Sequence, residues 1–249
     1  MGIERSAGIS AAIVDKGEIS GAIDAGTTGI WEDTIRQLLK NRSAVIGFVI
    51  VAVLALIGLV APGLAPYPYD EQDLMASLLP PLTHGHLLGT DQFGRDTLSR
   101  IMWGARVSIQ VGLIVTGVSM IVGLIIGCIA GYYGGVVDLL LSYLIDLVWG
   151  FPLILVALLF VTVIGPGLTG AMLAIGLVAG AGFARIVRGE VMTLREWGFV
   201  LSARTIGATD LRIIVRHMLP NMLGPILVMA TFTMAAAVII EASLSFLGL

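Results

Sequence analysis

TLREWGFVLSARTIGATDLRIIVRHMLPN, residues 193–221, is the longest charged interval in the otherwise apolar second half of this chain. It sets Arg195, Arg204, Arg212 and Arg216 among Glu196 and Asp210. Thr193 followed by Glu196 has the spacing of a capping box, which predicts a helix start there. Gly207 stands where a helix ends on a residue that tolerates left-handed dihedrals. Thr209 or Asp210 is placed to cap a second short helix, and Pro220 suits the first turn of a third. The stretch therefore reads as two short helices hinged at Gly207 between apolar segments. So polar a helix-turn-helix does not lie in hydrocarbon; it protrudes, as a docking element does.

The flanks are membrane-like. Of 249 residues 57% are hydrophobic and 12% charged, and mean hydropathy is positive, far from soluble norms. Charge-free runs cover 43–69, 107–137, 147–184 and 217–240. A span needs ~20 apolar residues, so the first, second and fourth runs hold one each. The third, with the segment before it, holds two, turned at Gly165-Pro166-Gly167. The expectation is an all-α, polytopic helical membrane protein with five spans, near 44–64, 107–131, 137–163, 168–188 and 219–243. Residues 1–30 read as a disordered tail without a cleaved signal peptide, and 31–43 as an amphipathic lead-in. Residues 65–106 form a loop with an interfacial helix, and 107–249 a core domain that includes the 193–218 loop.

With the N-terminus inside, the inner segments carry eleven Lys and Arg residues, from Arg5 to Arg216, and the 65–106 loop carries only Arg95, Arg100 and Arg106. That asymmetry satisfies the positive-inside rule and turns the charged stretch toward the cytoplasm.

The charged stretch resembles the cytoplasmic coupling loop of ABC importer permeases, with pattern Glu-Ala-Ala, three residues, Gly, nine residues, Ile, one residue, Leu-Pro. Registered on Gly207, this chain matches at Ala203, Gly207, Leu219 and Pro220, and departs at Leu201, Ser202 and His217. GATDLRIIVRHMLPN, 207–221, is very close to the peptide and nickel subfamily. A second match lies in HLLGTDQFGRDTLSRIMWGAR, 86–106, where Gly89, Thr90, Asp91, Gly94, Arg95 and Asp96 resemble the subfamily's signature ahead of its second span. Asp146, Phe151 and Pro152 match a third element, and together the likeness covers 32–249. It implies a type I ABC importer permease fold and a role in moving di- or oligopeptides, nickel complexes or related solutes. It also implies an ATPase-coupling loop including Ala203, Arg204, Gly207, Ala208, Asp210, Leu211, Leu219 and Pro220. The implied partners are a second homologous permease subunit, two ABC ATPase subunits and an extracytoplasmic substrate-binding protein. The implied place is a bacterial or archaeal inner membrane. Members usually continue past the fifth span into a sixth, so a chain ending at Leu249 is expected to be truncated.

Individual residues carry further expectations. Asp96 caps a short helix whose Leu98, Ile101 and Met102 lie on the bilayer surface. His84 and His86 have chelating spacing but no further ligands, a poor metal site. Gly123, Gly127 and Gly131 share one helix face and allow close approach by another helix, in this subunit or a second one. Asp138 suits the start of the third span, where the helix dipole favours negative charge. Asp146 lies two turns deeper, where a charge costs ~2.5–3.5 kcal/mol. It either lines a pathway for a positively charged group or tethers neighbouring helices. Pro152 frees a carbonyl and kinks the span. Lone Cys128 reads as a packing residue, and Glu241 as a solvated or helix-packing group.

No G-x-x-x-x-G-K-[ST] phosphate loop occurs, and no catalytic constellation clusters in the spans. The chain is expected to be no enzyme, to bind no cofactor or metal, and to contact lipid rather than nucleic acid. Uphill transport then needs an ATPase partner. The competing class, an ion-gradient-driven transporter or channel, would use Asp146 for coupling.

Overall fold

The computed structural model describes residues 39–246 except 84 and 166. The expected tail (1–30), the lead-in as far as 38, His84, Pro166 and the end of the chain after 246 lie outside the described residues. By packing the chain divides into two units, Met1–Leu54 and Ala55–Leu249.

In the first unit, Asn41 accepts the backbone N–H groups of Ser43 and Ala44 at 3.1 and 3.3 Å. This is an N-cap that satisfies donors the helix leaves orphaned. It starts α1, Arg42–Leu64, whose large side chains are mostly exposed, as a lipid-facing helix requires.

The second unit is helical around one seam. The helix α2 runs Thr97–Tyr133, followed by α3, Gly135–Trp149, and α4, Leu153–Ile164. Then come α5, Leu168–Arg195, α6, Gly198–Thr205, and α7, Asp210–Phe246. Among the described residues four helices are long and apolar enough to cross a membrane, and α3 with α4, bent by 99°, are so when counted as one bent pair.

The seam is α2 against α5, and the glycine stripe makes it. A Cβ at Gly123 would lie 2.6 Å from the Phe183 Cβ, at Gly127 2.7 Å from the Ala184 carbonyl oxygen, and at Gly131 2.8 Å from that of Arg188. Only glycine lets the backbones meet so closely. The stripe thus packs inside this chain. Around its lower end Cys128, Tyr132, Phe183, Val187, Val191 and Leu194 join Val200, Ala203, Ile213 and Met218 in one buried cluster.

Four expectations need correction. The interfacial helix does not stop before the second span: α2 is continuous over 37 residues, roughly 55 Å at the α-helical rise. Asp96 caps it, accepting the Ser99 N–H at 2.8 Å, no proline interrupts it, and Met102 is buried rather than turned outward. The kink expected at Pro152 is sharp enough to divide the 137–163 segment, because α3 and α4 meet at 99° around Gly150-Phe151-Pro152; proline removes a donor and blocks the preceding turn. Thr193 starts nothing. It lies inside α5 and donates to the Gly189 carbonyl at 3.1 Å, while Glu196 closes that helix; the buried face of Val191 and Leu194 carries α5 past the expected end at 188. Pro220 does sit in the first turn of a helix, as expected, but that helix is not a separate one. It is a 3₁₀ helix, Leu219–Met222, which follows a π-helical stretch, Ile213–Met218, inside α7. The wider turn accommodates the missing proline N–H, and the Asn221 amide donates to the His217 carbonyl at 2.6 Å.

The 65–96 loop is folded by its own GTDQFGRD residues. Thr90 donates to the Ala76 carbonyl and accepts the Leu79 N–H at 2.9 Å. Asp91 accepts the backbone N–H groups of Phe93 and Arg95 at 2.8 and 3.0 Å, and pairs with Arg95 Nε at 2.8 Å and with Arg100. Buried Asp96 meets His86 Nδ1 at 2.9 Å. Gly94, at φ +72°, leaves no room for a side chain, because a Cβ would come 1.7 Å from the Asp73 carbonyl oxygen. His86 is therefore engaged structurally, by Asp96 and by the Tyr67 ring 4.8 Å away.

Candidate functional site

The elbow between α5 and α7 assembles the residues singled out in the charged stretch. The helix α6 ends by a Schellman closure: the Gly207 N–H donates to the Arg204 carbonyl and the Ala208 N–H to the Ala203 carbonyl, both at 3.0 Å. This pattern needs a left-handed residue at the turn, and Gly207 supplies φ +81°. Ala203 is 5% exposed and packs with Val200, Ile213 and Met218, with Ala208 and Leu219 against the same cluster. A larger side chain at 203 would push α6 off this floor. Pro220 is exposed above it.

The outer side of the elbow is apolar and uncovered. Ile206 is 84% exposed and Leu211 72%, with Trp197 and Leu201 about half exposed beside them. Four large apolar groups exposed within fifteen residues of the elbow are the kind of surface that marks an interaction site.

The inner side is bolted to the last turn of α2. Asp210, in the first turn of α7, accepts the Tyr132 hydroxyl at 2.7 Å. The Arg204 guanidinium lies 5.3 Å from the centre of the Tyr132 ring, a cation–π distance. Arg195 Nη1 reaches the Gly131 and Tyr132 carbonyls at 3.4 and 3.5 Å, where the C-terminal end of the α2 dipole favours a cation.

Two further ion pairs run from α5 to α3. Arg188 pairs with both carboxylate oxygens of Asp138, in the first turn of α3. Arg185 reaches Asp146 at 2.5 Å and stacks 4.8 Å over the Trp149 ring. Both members of the Arg185–Asp146 pair are exposed. Trp149 also walls an apolar cavity of about 210 Å³ at the bend, with Leu153, Gly182, Phe232 and Thr233.

Gly89, Thr90, Asp91, Gly94, Arg95 and Asp96 come together as the scaffold of the 65–96 loop, apart from the elbow. Sequence reasoning missed Tyr132, Arg185, Arg188 and Trp149 as members of the site. The available signal was charge balance: Asp138 and Asp146 need cations, and Arg185 and Arg188 are three residues apart on a neighbouring helix.

Residues 123–249 match the family model described as binding-protein-dependent transport system inner membrane component. Residues 29–81 match the N-terminal TM domain of oligopeptide transport permease C. The chain is 42% identical to the dipeptide transport system permease protein DppC of Alkalihalophilus pseudofirmus, covering 88% of this chain and 72% of that one. It is 38% identical to the protein of that name from Haemophilus influenzae, over 84% and 73% of the two chains. With the oligopeptide transport system permease protein OppC of Bacillus subtilis it shares 34% identity, over 91% and 74%. Multi-pass helices, a glycine-hinged elbow and these likenesses agree: the chain belongs to the family of binding-protein-dependent transport system inner membrane components.

Proposed function

We propose that this chain is the membrane-spanning permease subunit of an ATP-driven importer of di- or oligopeptides, with the elbow gripped by a separate ATPase. One observation carries the coupling assignment: a rigidly closed elbow whose outer face exposes Ile206, Leu211, Trp197 and Leu201 while its inner face is fastened to α2 and α5. Exposed apolar groups on so ordered a support suit a protein partner. The peptide assignment rests on relatives named for dipeptide and oligopeptide transport. Positive-inside charge turns the elbow to the cytoplasm, where an ATPase has nucleotide. By family likeness the rest of the assembly is a second permease, two ATPases and an extracytoplasmic binding protein.

Co-purification tests the assignment. The chain should bring down an ATPase subunit, and Ile206→Asp with Leu211→Asp should release it while membrane level holds. Peptide uptake that continues without ATP under an ion gradient would overturn it.

A further inference from the structure

We propose that Tyr132 is the positioning residue through which movement of the elbow is passed to α2. The inference rests on the ATP-driven reading above and assigns one side chain within it. Three successive elements of the elbow converge on this residue: Arg195 from the end of α5, Arg204 from α6 and Asp210 from the start of α7. Tyr132 stands 78 positions before Asp210 in sequence, in the last turn of a helix that runs without a break to Thr97 at the far end of the bundle.

The arrangement suits transmission rather than packing alone. The ring is 5% exposed and wedged in the cluster below α6, so it moves with α2. Its hydroxyl is spent on a carboxylate that moves with α7. A phenol–carboxylate bond is charge-assisted and directional, and Asp210 is itself steadied by the N-terminal end of its helix. Gly134, at φ +67°, turns the chain two residues later, so Tyr132 lies in the turn of α2 that meets the elbow. A displacement of α7 by a partner must then either carry α2 along or strain the Tyr132–Asp210 bond, the one side-chain hydrogen bond from Tyr132 to α7 among the described residues.

Tyr132→Phe keeps the ring and its place under Arg204 and removes only the hydroxyl, and exposed Asp210 then turns to water. The test uses the complete transporter reconstituted in vesicles, measuring ATP hydrolysed against dipeptide delivered. Tyr132→Phe should raise ATP spent per peptide roughly threefold to tenfold, the equilibrium equivalent of one lost hydrogen bond, with membrane level and ATPase association as in wild type. Asp210→Asn should move the ratio the same way by less. The double variant should match Tyr132→Phe, because both changes cut one bond. A wild-type ratio in Tyr132→Phe, or additive effects in the double variant, would overturn the inference. Failure of the wild-type transporter to need ATP would instead sink the importer reading, so the two failures are separable.

Discussion

Arg188 closes on Asp138 from two sides: Nε and Nη2 donate to different carboxylate oxygens, the second at 2.7 Å. The pair joins α5 to the first turn of α3 across 50 positions of sequence, and Ser142 adds a hydrogen bond at 3.2 Å. Lysine cannot reproduce that fork. Arg188→Lys should therefore lower the melting temperature of the detergent-purified protein. Asp138→Asn should lower it further, since it strands a half-buried guanidinium at a cost of about 1–3 kcal/mol. Unchanged melting in both variants would show that the pair holds nothing together.

The α2–α5 seam offers a paired test on one helix. Gly127→Ala drives a methyl to within 2.7 Å of the Ala184 carbonyl, whereas nothing lies within 4 Å of a Cβ at Gly117. Gly127→Ala should destabilise by about 1–3 kcal/mol through overpacking. Gly117→Ala should be neutral or stabilise by about 0.5–1 kcal/mol, because alanine loses less backbone entropy in a helix. Equal melting shifts in the two variants would contradict the seam.

What was legible in the sequence was whatever one helix decides for itself. Hydropathy placed every span, the Gly207 hinge was read from local turn chemistry, and Asp96 was recognised as a cap. Most of the misses are nonlocal. Thr193 and Glu196 have a start signal's spacing, but Val191 and Leu194 find a buried seam to follow, and tertiary packing overrides a weak local preference. Pro220 marks the first turn of a 3₁₀ helix, as its local chemistry suggests, but nothing local announces the π turn that joins it to the residues before. Tyr132 looks like any aromatic at a helix end until Asp210 arrives from far along the chain. The glycine stripe was visible, yet its partner helix was not, because small residues say only that something comes close.

In the 65–96 loop, Gly94 is the residue with no substitute. A Cβ there would meet the Asp73 carbonyl at 1.7 Å, and φ +72° is unfavourable for a side chain besides. Gly94→Ala should open the loop to limited proteolysis between 65 and 96 while α2 and α5 remain protected. Gly85→Ala, also at positive φ but facing only the Tyr67 hydroxyl at 3.3 Å, should open it less. A loop equally resistant in Gly94→Ala would refute this packing.

The same loop should loosen in acid. Burial pushes the Asp96 carboxyl up, but the Ser99 N–H and hydroxyl and the His86 ring outweigh it and hold the group below its ordinary value. Asp91 is likewise lowered, its desolvation outweighed by the Arg95 and Phe93 N–H groups and the Arg95 side chain. A depressed carboxyl stabilises the fold above its ordinary pKa and loses that contribution as pH falls through the folded value. Protease resistance of the loop should thus be level through neutral pH and fall once the pH drops below the ordinary aspartate range. Asp96→Asn should lower resistance at neutral pH and flatten the acid transition. An unaltered acid transition in that variant would assign it to other groups.

Gly207 carries the last prediction, because its constraint is conformational alone. Nothing lies within 4 Å of a Cβ built there, so added bulk meets no neighbour, and only φ +81° resists a side chain. A β-branched residue in that region is strained by about 1–3 kcal/mol, enough to reopen the bonds from Gly207 to Arg204 and from Ala208 to Ala203. Gly207→Val should then leave membrane level intact and abolish peptide uptake, as the apolar face of Ile206 and Leu211 loses its fixed direction. Asparagine tolerates left-handed dihedrals, so Gly207→Asn should retain most of the uptake. If valine and asparagine impair uptake equally at equal protein level, backbone conformation at 207 is not what the elbow depends on.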